Sequence, residues 1–359
     1  TFYNVQDPDF PLLGAEGIDA DAEIDPTQRA ATTDGRSPRN ILTTTIGDEI
    51  RMHYGPKAKV FGVSVKDRGA ISFAGHAGQA YWFSKAEGRF VTSSYYREEY
   101  PLWVSEWDAK GVVGSYAGTD WALLLPPENY LFGDRDDQKW ETDFPGWGRT
   151  FPHTYGSADS RYYTTLLTLS PAGDEITVDF AKALMTAEEV GQDSVPDFMS
   201  VSLSSTDYVG HLFGPSSLES EDNIKRLDRT LADLLSFVNE HVGLENTLVV
   251  LSADHGAPEA TGYLKSIGVE ANTFLFSDTD LKPGLARLKE EFGLSTELLS
   301  SFTNPYLYLD ADAMAAAGLD ASDVETAVAR ELQNLPGIAL AIPSSALRRG
   351  EVADTAVSR

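Results

Sequence analysis

Cysteine is missing from all 359 residues. Its absence excludes disulfides, Cys-ligated zinc, iron–sulfur clusters and thiol catalysis, and leaves the redox compartment open. Basic residues are scarce: 28 Lys and Arg against 55 Asp and Glu give a formal charge of −27. So acidic a surface repels nucleic-acid phosphates and anionic lipid, which argues against a general nucleic-acid binder. It leaves room for an anionic substrate, because a metal ion or a few Lys and Arg reverse the sign locally. Long apolar runs are lacking too. None approaches the roughly 18 residues of a membrane span, so no membrane insertion is expected. No stretch reads as a signal peptide. The chain opens Thr1-Phe2-Tyr3 rather than with Met, which points to processing or to a longer parent.

What is present is enough apolar material for a large core: 42% of residues are hydrophobic. Length and composition suit one large α/β domain or two smaller ones. The first forty residues read as loop. Ser37-Pro38 resembles an N-cap followed by a first-turn proline, predicting a helix to about His53 with Gly55 as its stop. Lys59–Val65 reads as a buried strand, and a hairpin is expected over Gln79–Tyr96 with its turn at Glu87-Gly88. Residues 110–165 are loop-rich, and a helix is expected over Thr177–Val190. Phe198–Leu203 is the next strand. Ile224, Leu227, Leu231, Leu234, Leu235, Val238 and Val242 then recur at steps of three and four, marking a long amphipathic helix closed by Gly243. Thr247–Leu251 is a continuous apolar stretch of the kind found mid-sheet. Beyond about Glu259, helices near Pro283–Phe292 and Ser322–Leu335 and strands near Tyr306–Leu309 and Ile338–Ile342 form a separate lobe. Arg348-Arg349-Gly350 onward reads as a frayed end.

Three predicted strand ends carry the chemically unusual residues. One is Lys66-Asp67-Arg68. Another is Ser205-Thr206-Asp207-Tyr208-Val209-Gly210-His211. The third is Ser252-Ala253-Asp254-His255-Gly256. Ligands of open parallel sheets bind beyond the carboxyl ends of the strands, so all three fall along one rim. Asp and His are the oxygen and nitrogen donors that suit zinc when Cys is absent. Two Asp–His pairs supply half of each of two metal sites, and a two-metal site clamps the attacking and leaving oxygens of phosphoryl transfer. A nearby Lys and Arg would hold the remaining anionic oxygens. Taken singly, each motif is more often a cap, a turn or a surface pair. Their joint placement carries the argument. His76, His153 and His241 read as structural or exposed, Asp222 and Asp228 as the polar face of the long helix, and Trp82, Trp121 and Trp147 as packing residues.

The stretch Ser-Ser-Thr-Asp-Tyr-Val-Gly-His-x-Phe-Gly-Pro, a Leu- and Asp-rich helix and Ala-Asp-His-Gly-Ala resemble the alkaline phosphatase superfamily. Within it the likeness is to the PafA-like bacterial alkaline phosphatases, related to the nucleotide pyrophosphatases and type I phosphodiesterases. Thr45-Ile46-Gly47-Asp48-Glu49, Val63–Ala70, Gly75-His76 and Ala80–Phe83 extend it, over most of residues 1–310. The resemblance implies that Asp207 and His211 bind one zinc and Asp254 and His255 a second, with Lys66 and Arg68 on the phosphate. It implies a preference for monoesters, which bring extra negative oxygens to that Lys-x-Arg pair. The implied route is in-line attack by a zinc-activated threonine, a covalent phospho-threonine, and hydrolysis by zinc-bound hydroxide.

In the family the nucleophilic Thr, a first Asp ligand and a phosphate-binding Asn lie on an earlier segment that would precede Thr1. A last zinc-binding His lies in a later His-Gly stretch, and no His follows His255. Thr43, Thr44 and Thr45, within the predicted first helix, do not substitute. The expectation is therefore the middle of a longer enzyme, with little or no turnover of its own. The fold expected is α/β, a mostly parallel central sheet flanked by helices. An incomplete core spans residues 1–258 and an inserted α/β lobe 259–359. The expected function is zinc-dependent hydrolysis of small-molecule phosphate monoesters, in the periplasm or outside the cell by resemblance. The alternatives are a phosphodiesterase or nucleotide pyrophosphatase, and a non-catalytic, metal-stabilised binding module.

Overall fold

A computed structural model describes residues 5–16, 25–27, 34–273, 278–303 and 306–352. The expectations for Thr1-Phe2-Tyr3 and for the chain beyond residue 352 lie outside these, as does part of the loop assigned to the first forty residues. Two compact units divide the chain, Thr1–Ala271 and Asn272–Arg359. The boundary expected from sequence stood at residue 259. No helix among the described residues is long and apolar enough to cross a membrane.

The first unit runs β1 (Leu12–Leu13), α1 (Ile46–Tyr54), β2 (Val60–Ser64), α2 (Asp67–Ala74), β3 (Gln79–Ser84), β4 (Arg89–Ser93), α3 (Leu102–Asp108), β5 (Asp120–Trp121) and β6 (His153–Thr154). It continues through α4 (Tyr163–Thr168), α5 (Pro171–Ala187), β7 (Phe198–Ser202), α6 (Ser205–Phe213), α7 (Leu218–His241) and α8 (Thr261–Ser266). The central sheet has the order β1-β4-β3-β2-β7. It is parallel where β2 meets β3 and β7, and antiparallel where the β3–β4 hairpin and β1 extend it. This is an α/β fold with a mixed sheet. β5 and β6 pair separately.

Side-chain alternation along β3 assigns the two faces. Tyr81 and Phe83 join one core with Phe90, Trp107 and Phe180, whereas Ala80 and Trp82 join another with Ala70, Ile71 and Ala74 of α2. The Phe90 and Phe180 rings stack at 4.0 Å, fastening α5 to the sheet. On the opposite face α2 lies directly on β2, because Gly62 has no side chain. A Cβ there would come within 2.1 Å of the Ala70 carbonyl oxygen.

Several elements differ from expectation. The first helix starts at Ile46, not near Pro38, because Thr45 and Asp48 form a reciprocal capping box. Ser37 instead donates its hydroxyl to Asp7. α5 begins six residues early, at Pro171, where Ser170 caps it. Arg348 and Arg349 close a short helix, Ser344–Arg349, rather than fray. Asp222 is fully buried, not on a solvated face. It accepts hydrogen bonds from Trp121 Nε1, Leu124 N, Tyr130 Oη and Arg226 Nε.

Thr247–Leu251 is not a strand. It has no ladder partner among the described residues, and Leu248 and Val250 are 89% and 77% exposed. An apolar run becomes a strand only where a neighbouring strand takes its N–H and C=O groups. Ile338–Ile342 likewise forms no strand.

The second unit contains α9 (Asp278–Glu291), the hairpin β8 (Leu299–Thr303) and β9 (Tyr306–Leu309), α10 (Ala311–Ala316), α11 (Ala321–Gln333) and α12 (Ser344–Arg349). Leu281, Leu285, Leu288, Leu298, Met314, Val324 and Val328 form its own core.

Candidate active site

Beyond the carboxyl ends of β2 and β7, three serine hydroxyls tie the strands together. Ser204 Oγ lies 3.0 Å from Ser64 Oγ and 2.9 Å from Ser202 Oγ, and Ser64 Oγ accepts the Lys66 N–H at 3.0 Å. This positions Lys66, the N-cap residue of α2, against the start of α6. Helix α6 is itself anchored. The Asp174 carboxylate of α5 accepts Ser205 N at 3.0 Å and the Thr206 hydroxyl at 3.1 Å. Burial raises Asp174 to about 7, against those hydrogen bonds. Asn223 of α7 donates to Thr206 from the other side.

The first turn of α6 thereby presents Asp207 to Lys66. Lys66 Nζ bonds Asp207 Oδ2, and the Lys66 side chain is only 9% exposed. Burial pushes the Lys66 ammonium below its ordinary range; Asp207 opposes that and Arg68 adds to it. Asp207 Oδ1 faces His211 Nε2 at 3.4 Å and His255 Nε2 at 3.7 Å, and His255 Nε2 lies 3.4 Å from Asp254 Oδ2. The fold thus gathers five residues singled out in the sequence into one chain of contacts.

The sixth, Arg68, is held by a different carboxylate while its charge still acts on Lys66. Its Nη1 meets Asp25 Oδ2 at 3.2 Å and its Nη2 donates to Thr27 Oγ1 at 2.5 Å. Burial would raise the Asp25 carboxyl, but Arg68, the Thr27 hydroxyl and Lys85 outweigh it and bring it down to about 2. Tyr208 Oη also donates to Asp25 Oδ2, at 2.8 Å. The Lys66 and Lys85 ammonium groups lie 4.1 and 5.1 Å from the Tyr208 ring centre. Asp25, Tyr208 and Lys85 were not singled out in the sequence. Tyr208 adjoins Asp207, and Asp25-Pro26-Thr27 has the form of an Asx turn, so a weak signal was there.

The donors are of the kind zinc takes, carboxylate oxygen and imidazole nitrogen. Their arrangement is open: Asp254 and His255 are 82% and 56% exposed on the segment that follows Thr247–Leu251. Among the described residues no group of three or more His, Asp or Glu is placed so as to hold an ion. The threonines at the start of α1 are not brought to this rim. Thr45 caps the helix and Thr44 donates to Glu49, and both precede it rather than lying within it. Three other histidines have structural partners. His76 meets Asp48 at 3.0 Å, His153 meets Glu219 at 3.1 Å in full burial, and His241 stacks on Phe237.

The fold and its rim define an α/β protein that collects polar side chains beyond the ends of adjacent parallel strands. Within that class, the chain belongs to the type I phosphodiesterase/nucleotide pyrophosphatase family, which it matches over residues 70–337. It is 34% identical over 345 residues to the alkaline phosphatase PafA of Elizabethkingia meningoseptica, covering 95% of this chain and 62% of PafA. The alkaline phosphatase PhoV of Synechococcus elongatus is 35% identical over 335 residues, covering 92% of this chain and 60% of PhoV. The crystal structure of wild-type PafA superposes with a TM-score of 0.83 at 32% identity, covering 98% of this chain and 65% of that one. These likenesses make it PafA-like within the alkaline phosphatase superfamily. The chain spans a little under two thirds of the length of these relatives.

Proposed function

We propose that this chain forms the phosphate-binding and much of the metal-binding part of a phosphate-monoester hydrolase. The observation that carries the reading is the contact of Lys66 with Asp207 across the ends of β2 and β7, with His211 and His255 on the other Asp207 oxygen. A cation for the phosphate and donors for metal thus share one carboxylate. In this reading Asp207 with His211, and Asp254 with His255, hold two zinc ions. Bound there, zinc supplies positive charge to the attacking and leaving oxygens. Lys66 and Arg68 bind and orient the remaining phosphoryl oxygens. A monoester dianion offers two negative charges to these two cations, whereas a diester offers one. The phosphoryl-accepting threonine comes from polypeptide outside these 359 residues, so they turn over little or no substrate alone. Small soluble phosphate esters, met in the periplasm or outside the cell, are the substrates.

The test is an aryl phosphate assay with zinc, run on the enzyme at the full length of its relatives and on these 359 residues. The longer protein turns over and Asp254→Ala abolishes it. Lys66→Ala lowers kcat/KM for the monoester by ~10²-fold and for a diester far less. The family match itself favours a second reading, a diesterase or nucleotide pyrophosphatase. A diester cleaved faster than the monoester would establish it. Zinc binding without turnover at full length would leave only a binding module.

A further inference from the structure

Arg68 is a long side chain with many rotamers, and a two-pronged grip on a phosphoryl group needs one of them. Asp25 is built to select it. Both oxygens of Asp25 are occupied twice. Oδ1 accepts Thr27 N at 2.8 Å and Thr27 Oγ1 at 2.6 Å, while Oδ2 takes Arg68 Nη1 at 3.2 Å and Tyr208 Oη at 2.8 Å. The carboxylate is therefore held from its own turn and from α6, and Arg68 is held by it. Tyr208, 1% exposed, is packed into the core of the first unit and follows Asp207 directly. Its ring carries Lys66 at 4.1 Å, and its hydroxyl holds the carboxylate that holds Arg68. One aromatic side chain thus connects the anchors of both phosphate cations.

We propose that Asp25 and Tyr208 are positioning residues that fix Arg68 beside Lys66, and so set the preference for a doubly charged phosphoryl group. The inference rests on the reading of Lys66 and Arg68 as the phosphate site. A dianion gains from two cations at a fixed separation, whereas a singly charged diester gains little from the second. Loosening Arg68 therefore erodes selectivity as well as affinity.

The test is calorimetric titration of the zinc-loaded enzyme, at the full length of its relatives, with inorganic phosphate and with dimethyl phosphate at pH 8. Asp25→Asn loses about 10-fold in phosphate affinity and less than about 2-fold for dimethyl phosphate, a difference of about 1 kcal/mol. Tyr208→Phe keeps the ring and the charge, removes only the hydrogen bond, and loses about 3-fold in the same direction. Thr27→Ala, at the edge of the turn, provides a milder variant should Asp25→Asn fail to fold. A general loss of stability would not alter the ratio between the two ligands. Lys66→Ala is the control for the site. If it leaves phosphate affinity unchanged, or wild type binds no phosphate, the phosphate site and the proposal fall together. If Lys66→Ala weakens binding while Asp25→Asn and Tyr208→Phe do not, positioning alone is refuted. A gain in affinity on Asp25→Asn would also overturn it, showing a carboxylate that competes with phosphate.

Discussion

Glu141, Glu219 and His153 are ionisable side chains folded where charge is costly. Burial, then the nearby Glu219 carboxyl, pushes Glu141 up to about 8, and burial drives Glu219 in the same direction. Burial depresses His153 towards about 4, with Asp136 and Asp222 opposing it. Glu141 Oε1, Glu219 Oε2 and His153 Nδ1 have no hydrogen-bond partner among the described residues. The sign of the pH effect follows. Between an ordinary glutamate value of 4.5 and about 8, folded Glu141 keeps a proton that the unfolded chain has lost. Its contribution is complete at the acid end and is lost as pH rises through that window. His153 acts oppositely, but only below its ordinary 6.5. Of these three groups only the carboxyls differ between the folded and unfolded chain from pH 6.5 to 8, and they lower the melting temperature across that interval. Glu141→Gln flattens the decline, measured by thermal melts at several pH values; an unchanged slope would refute the assignment. At this scale the sequence revealed Asp207 and His211, because a strand end and four-residue spacing mark them. It hid Asp222 and largely hid Asp25, whose roles come from partners about 40 to 180 residues away.

Helices were more readable than strands. The apolar stripe of α7 is a local signal, and so is the Ser170-Pro171 start of α5 that the expected Thr177 start missed; local hydrogen bonds satisfy a helix. A strand is satisfied only by a neighbour. Lys59–Val65 finds two, and β2 is buried throughout. Thr247–Leu251 finds none among the described residues and leaves four consecutive apolar side chains exposed. Five uncharged, β-prone residues without a partner are an association hazard. The 359-residue chain is accordingly expected to self-associate with rising concentration, followed by light scattering. Val250→Lys reduces that association without lowering the melting temperature, since Val250 has little native packing to lose. A large drop in melting temperature would instead show that the segment is structurally engaged.

At the scale of the whole molecule, a charge of −27 sets a background repulsion that opposes compactness. Raising salt from ~0.01 M to ~0.15 M shortens the screening length from about 30 Å to about 8 Å. The melting temperature should rise over that range, and a fall would show that ion pairs such as Arg36–Asp67 outweigh the repulsion. The sequence by itself determined the α/β class, the hairpin, the long helix, the exclusion of thiol chemistry and the motifs that carry the family. Each is a matter of composition, period or short spacing. Only the tertiary structure decided that Lys66 meets Asp207, that Arg68 is held by Asp25, which Tyr208 also bonds, and that Asp254 and His255 follow a segment with no strand partner among the described residues. Those relations join residues distant in the chain through the packing of α2, α5 and α6 about β2 and β7. No local pattern encodes which side chain a folded sheet will place opposite another.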